Sequence, residues 1–170
     1  MHRNRPAPWL SLLLLTASCA VWSLPEDAEQ PVEVDAASAE FEESGVTLFK
    51  GTEDRPAVIT QGSLRISGIT IRIVEAEQEL LSVHATGTPA SFAQQPASDQ
   101  AVVHASGASI LLDNVKQLLV IEQDATFRQE GREGQSHRIE YDLTTHKATF
   151  EGSPNGGRVR MNLQSRPEAP

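Results

Sequence analysis

From residue 32 onward the chain alternates. Val, Ile, Leu, Phe and Tyr recur at every second position of short segments, and Gly, Pro, Asn, Asp and Ser separate those segments. A period of two is the pattern of strands with one buried face, and the separators are residues that turns favour. The pattern predicts strands at residues 32–35, 39–42, 47–50, 57–61, 64–67, 70–74, 81–86, 91–94, 102–106, 109–113, 118–122, 125–129, 135–142, 147–151 and 158–163. Helical spacing comes nearest over residues 111–121, through Leu112, Val115, Leu118 and Leu119. Asp113-Asn114 interrupts it with a turn pair.

The segments also repeat. Ala39-Glu40-Phe41-Glu42 leading to Leu48-Phe49-Lys50-Gly51 matches Ile139-Glu140-Tyr141-Asp142 leading to Thr149-Phe150-Glu151-Gly152. Residues 110–113 leading to Val120-Ile121-Glu122 form a third copy, and Ile71-Arg72-Ile73 leading to Ala85-Thr86-Gly87 a worn fourth. Each copy stops at Gly51, Gly87, Gln123 or Gly152, at intervals of 36, 36 and 29 residues. Hairpins with one apolar face must stack to bury it. The expected fold is therefore all-β: one elongated sheet system, a sandwich or jelly roll of repeated antiparallel hairpins, wound along an axis. Such a stack ends in unpaired strands, unlike a closed barrel. The expected assembly edges are Val32, Glu33, Val34 and Asp35 at one extremity and Arg158, Val159, Arg160 and Met161 at the other. The first is β-prone and contains no proline to blunt it.

Alternation points Val32, Val34, Phe41, Leu48, Leu64, Ile66, Ile71, Ile73, Leu81, Val83, Phe92, Ile110, Leu112, Phe127, Ile139, Tyr141, Phe150, Val159 and Met161 inward. An ordinary close-packed core accounts for such a list. A groove for acyl chains is the alternative, and the low aromatic content of 5% gives the interior the slender aliphatic lining that suits one.

The N-terminus adds a destination. Arg3 and Arg5 precede an apolar run from Trp9 to Trp22 that is broken only by Ser11, Thr16 and Ser18. That is the build of a secretory signal peptide, and the run is shorter than the roughly 20 residues a spanning helix needs. Cleavage after Ala20 or Ser23 leaves a small residue at the cut, with Ser23 preferred. The expected organisation is a signal peptide at residues 1–23, one β-domain at 24–165 and a disordered tail at 166–170. Cys19, the single cysteine, falls inside the leader, and Thr16 stands where a lipoprotein signal carries leucine. Export removes two cations and no acid, taking the formal charge from −9 to −11. So acidic a surface argues against nucleic acid, which is bound through clustered Lys and Arg.

Chemistry finds little footing. His2, His84, His104, His137 and His146 lack chelating spacing. His84 and His104 share a Val-His-Ala context, but a zinc site needs three or four ligands. The acid pairs Glu42-Glu43 and Glu53-Asp54 fall in expected turns and read as solvated surface. No nucleophile elbow, phosphate-cradling loop or paired-cysteine motif occurs after the leader, so neither a cofactor nor catalysis is expected.

One family does match. Leu24-Pro25-Glu26-Asp27, Gln30-Pro31-Val32-Glu33-Val34, Ala37-Ser38-Ala39-Glu40-Phe41, Thr60-Gln61-Gly62, Ala85-Thr86-Gly87-Thr88-Pro89-Ala90-Ser91-Phe92 and Arg138-Ile139-Glu140-Tyr141-Asp142 follow one another in the order and spacing of the OstA-like periplasmic lipopolysaccharide-transport proteins. The chain resembles that family over essentially its whole mature length. It departs at residues 51–56, which are longer and more polar than the usual turn, and at Ser109-Ile110-Leu111-Leu112, which lacks the usual Ile-Glu-Tyr. The resemblance implies a twisted, open β-jelly roll in the periplasm that stacks head to tail with copies of itself. It implies LptC as the partner at the inner membrane and the N-terminal domain of LptD at the outer membrane. Lipopolysaccharide, held by its lipid A acyl chains, would be the cargo. All the inward residues except Leu48, Leu64, Leu81, Val159 and Met161 then become candidate acyl-chain contacts. Two other readings stay open: a membrane-anchored, LptC-like subunit of the same pathway, and a secreted β-repeat protein that self-associates without lipid.

Overall fold

The computed structural model describes Asp27, residues 30–77 and residues 79–163. The expected leader at 1–23 and tail at 166–170 lie outside the described residues. The elements are β1 (Glu33–Asp35), β2 (Ser38–Glu42), β3 (Val46–Lys50), β4 (Ala57–Gln61), β5 (Leu64–Gly68), β6 (Thr70–Ala76), β7 (Glu79–Gln94), β8 (Val103–Asp113), β9 (Leu118–Gln129), β10 (Arg132–Asp142), β11 (Lys147–Glu151) and β12 (Arg160–Leu163). They form one antiparallel sheet of 12 strands.

Four of these strands are long and cross a break in pairing: β7, β8 and β9 each join two expected segments, and β10 extends the single segment expected at 135–142 back to Arg132. The register between β7 and β8 shifts between Thr86 and Ala90, that between β8 and β9 between Ser106 and Ser109, and that between β9 and β10 between Ser136 and Arg138. A bulge bends its strand and sharpens the local twist. The shifts line up across neighbouring strands, so they fold the sheet along a common crease into two facing halves. One, the repeat half, has the order β2, β3, β6, residues 82–86 of β7, 109–113 of β8, 118–122 of β9, 138–142 of β10, then β11. The connecting half has the order β1, β4, β5, residues 90–94 of β7, 103–107 of β8, 125–129 of β9, 132–135 of β10, then β12.

All four sequence repeats fall in the repeat half, where the pairs Ala39 with Phe49, Ile71 with Ala85, Ile110 with Ile121 and Ile139 with Phe150 sit in equivalent register. The periodic Gly51, Gly87, Gln123 and Gly152 stand at the crease, where the chain leaves that half for the other. The backbone there passes too close for a side chain in at least one case, since a Cβ on Gly152 would lie 2.0 Å from the Gly157 carbonyl oxygen. Gln123 instead takes a left-handed φ of 61°. The hairpins between repeats build the connecting half.

The core lies between the two halves. Ile59, Ile66, Phe92 and Phe127 from the connecting half join Ile71, Val83, Ile110, Leu112, Leu119, Ile121, Ile139 and Tyr141 from the repeat half in one buried cluster. Phe127 bridges the two sides, with its ring centroid 5.1 Å from Tyr141 and 6.2 Å from Phe150. On the outer surface of the repeat half, Arg138 is bracketed by Glu122, Glu140 and Glu151 on its own and flanking strands, which holds its guanidinium charged.

Several expectations need correction. Leu48 faces outward between Glu40 and Arg72, and Phe49 takes the inward position. Val32 precedes β1, whose ladder with β4 begins at Glu33 opposite Thr60; beside it the Gln61 side chain donates to the Gln30 carbonyl at 3.2 Å. Arg158 and Val159 precede β12, because their partners would fall at Ser136 and His137, where the bulge in β10 ends the ladder.

Candidate functional site: an apolar trough between the halves

Strand registers translate the inward residues into rows that run across the strands, from one open end to the other. In the connecting half one row reads Val34, Ile59, Ile66, Phe92, Ala105, Phe127, Gly134, Met161. In the repeat half one reads Ala39, Phe49, Ile71, Ala85, Ile110, Ile121, Ile139, Phe150. Its neighbour reads Phe41, Thr47, Ile73, Val83, Leu112, Leu119, Tyr141, Ala148. Across these three rows only Thr47 and the Tyr141 hydroxyl interrupt an apolar lining. Eight strands at about 4.8 Å make each row roughly 34 Å long.

The middle of the trough is filled. Ile66, Ile71, Val83, Phe92, Ile110, Leu112, Phe127, Ile139 and Tyr141 touch one another there, and Ile73 and Phe150 pack partly buried against them. The ends are open. Val34 is 41% exposed and Phe41 77% exposed at the β1–β2 end, where Phe41 meets the Phe49 ring edge-on. Met161 and Leu163 are 51% and 65% exposed at the β11–β12 end. Of the eight large hydrophobics exposed among the described residues, six lie at these two ends and only Val102 and Val115 elsewhere. A cavity of about 190 Å³ opens at the β11–β12 end, lined by Phe127, Gly134, Ala148, Phe150 and Met161 with polar neighbours.

Away from the crease, the lip of the connecting half changes character. Gln61, Gln94 and Gln129 occupy inward positions there, on alternate strands with Leu64 and Val103 between them. Gln129 donates to the Ala101 carbonyl at 3.3 Å. It also lies beside the Tyr141 hydroxyl, without a well-formed bond to it. Burial raises the pKa of that phenol, and the neighbouring Gln129 amide opposes the shift.

Alternation missed the buried Ile59, Leu119 and Ile121. Ile59 sits in an alternating segment and was there to be found. Leu118-Leu119-Val120-Ile121 is apolar throughout, so period two carries no facing information over it. His84 and His104 do not meet: the first lies on the repeat half beside Ser109, at 2.9 Å, and the second on the connecting half opposite Arg128. Among the described residues no group of three or more His, Cys, Asp or Glu could hold a metal ion.

Known proteins share this architecture. Residues 33–147 match the model of the family described as LptA/(LptD N-terminal domain) LPS transport protein. The chain is 32% identical over 139 residues to the lipopolysaccharide export system protein LptH of Pseudomonas aeruginosa, covering 81% of this chain and 77% of that one. The crystal structure of LptH, described as the LptA-homologous periplasmic component of the conserved lipopolysaccharide transport device of that organism, superposes with a TM-score of 0.72 at 29% identity. The match covers 83% of this chain and all of the solved one. The chain, with its creased all-β sheet and β-jelly-roll-like fold, belongs to the LptA/LptD N-terminal-domain family of lipopolysaccharide transport proteins.

Proposed function

We propose that this protein is a periplasmic, non-enzymatic bridge element that carries lipopolysaccharide from the inner to the outer membrane with its acyl chains between the two halves of the sheet. One observation carries the reading: the inward rows are apolar from the β1–β2 end to the β11–β12 end. Each acyl methylene exposed to water costs about 0.8 kcal/mol, so a chain of about a dozen faces roughly 10 kcal/mol in an aqueous compartment. An apolar lining interrupted only at Thr47 and the Tyr141 hydroxyl lowers that barrier along its length. Because the middle is packed, entry of a chain requires the halves to part along the glutamine lip opposite the crease.

The open ends supply the joints. Unpaired strand edges with exposed Val34 and Phe41 at one end and Met161 and Leu163 at the other suit stacking of the β1–β2 end of one copy on the β11–β12 end of the next. Such a contact is heterologous and extends rows of one molecule into those of its neighbour. In the assembled bridge the terminal partners are LptC at the inner membrane and the N-terminal domain of LptD at the outer membrane. The leader at residues 1–23 directs export and is removed, leaving the domain at 24–165 and a short tail.

Copurification tests this reading. The mature chain isolated from the periplasm should carry lipopolysaccharide, detected by mass spectrometry, and the stripped protein should rebind it. A lipid-free chain that also fails to bind added lipopolysaccharide would instead support a structural β-repeat protein. A species retaining the segment from Trp9 to Trp22 in the membrane would support an anchored subunit.

A further inference from the structure

The outward faces of the two halves differ in charge. On the repeat half Arg138 is held by three carboxylates, Lys50 by Glu40 at 2.6 Å and Lys116 by Asp113 at 3.1 Å, while Arg72 and Lys147 stand outside these ion pairs, singly and without a second Arg or Lys in their rows. On the connecting half one outward row reads Thr60, Arg65, Ala93, His104, Arg128, Glu133. Among the described residues Arg65 and Arg128 enter no ion pair. The acids on this face stand to the sides: Glu133 next to Arg128, and Glu33 and Asp35 on β1, the latter already paired with Arg55 at 3.0 Å.

Beneath this row runs another of hydroxyls. Ser67 bonds Ser91 at 2.7 Å and Ser106 bonds Thr126 at 2.7 Å, on successive strands. Ala93 leaves the space above them open, and a depression of about 450 Å³ is lined by Arg65, Ser91, His104, Ser106, Thr126 and Arg128 among others. Arg65 and Arg128 are three strand steps apart, about 14 Å, so two guanidinium groups flank a polar floor. Paired arginines over hydroxyl donors are the chemistry of phosphate recognition.

Position names the source of the phosphate. The arginine row is the next residue along each strand from the glutamine row at the lip, a step of about 3.3 Å onto the outer face. An amphiphile whose acyl chains enter between the halves and whose head folds over this lip lays its head on Arg65, His104 and Arg128. The opposite lip borders the acidic repeat half. We infer that the outer face of the connecting half is a binding site for the phosphate-bearing sugar portion of the lipopolysaccharide whose acyl chains occupy the trough. This rests on the reading of the trough as a lipid path and adds to it the residues that choose the side on which the head travels.

The test separates the two claims. Purified mature chain is titrated at fixed ionic strength with lipopolysaccharide before and after enzymatic removal of its phosphates. Arg65→Gln/Arg128→Gln is compared with Arg72→Gln on the outer face of the repeat half. The parent should prefer the phosphorylated lipid, the double variant should lose about tenfold in affinity for that form alone, and Arg72→Gln should match the parent. All three substitutions are at exposed positions, and circular dichroism checks that the fold is kept. A double variant with the parent's preference overturns the head-group site and leaves the trough standing. A parent that binds neither form overturns the trough reading itself. Inorganic phosphate alone is the remaining arm, followed through the His104 ring resonances. Saturation at the concentration at which lipopolysaccharide saturates would make this a free-anion site and overturn the lipid assignment.

Discussion

Tyr141 shows what a single inward residue must reconcile. Its ring fills the middle of the trough against Phe127, and its hydroxyl is buried without a well-formed hydrogen bond. Ionising it would place a charge among aliphatic side chains, so burial raises its pKa above the ordinary 10.0. The group is neutral when protonated, so its contribution to stability is complete below the unfolded-state pKa and is lost as pH rises through the higher folded-state value. Alkaline unfolding should therefore set in above about pH 10, with a slope from this group of at most about 1.4 kcal/mol per pH unit. Tyr141→Phe should remove that component and change neutral-pH stability little, as followed by denaturant titration at a series of pH values. Tyr141 is the only tyrosine in the chain, so tyrosinate absorbance reports its ionisation directly. Tyrosinate forming at the ordinary pKa in the folded protein would contradict the burial argument.

At the scale of elements, alternation and repetition made much of the fold legible. The repeats beginning at Ala39, Ile71, Ile110 and Ile139 are the four hairpins of one half of the sheet, and their periodic glycines mark the crease. The second half was not visible as such, because it is assembled from the segments between repeats and shares strands with the first. Residues 81–86 and 91–94 read as two strands and belong to one, since a bulge breaks pairing without breaking the strand. The site was legible where alternation is clean, as in Ile71-Arg72-Ile73, and illegible at Leu48-Phe49, where either of two adjacent hydrophobics fits inward. The ends were half read. Residues 33–35 and 160–163 do form edges, but β2 and β11 are edges as well, because each extremity exposes one strand from each half. Val34→Pro tests β1 as a joint: proline removes a backbone donor and disfavours pairing, yet an edge strand tolerates it. The variant should remain folded by circular dichroism and monomeric by light scattering at concentrations where the parent lengthens. Lengthening equal to the parent's would move the joint to β2 alone.

The whole molecule is a sheet creased so that its apolar surfaces face each other and its unpaired edges gather at two ends. Closing it into a barrel would give a more ordinary solution to edge strands, but a closed barrel could neither open along a lip nor continue into a neighbour. The family it belongs to is one of lipopolysaccharide transport proteins, and on the function proposed above the rows from Val34 to Met161 and from Ala39 to Phe150 are the route of the acyl chains. Ile139 and Glu140 are adjacent in sequence and face opposite ways, the first buried in the trough and the second on the outer surface beside Arg138. A photo-crosslinking side chain placed at each in turn, in living cells, compares the two faces with everything else held constant. The trough account predicts lipopolysaccharide captured from Ile139, and equally from Phe92, with none from Glu140. Capture from Glu140 as strong as from Ile139 would contradict it.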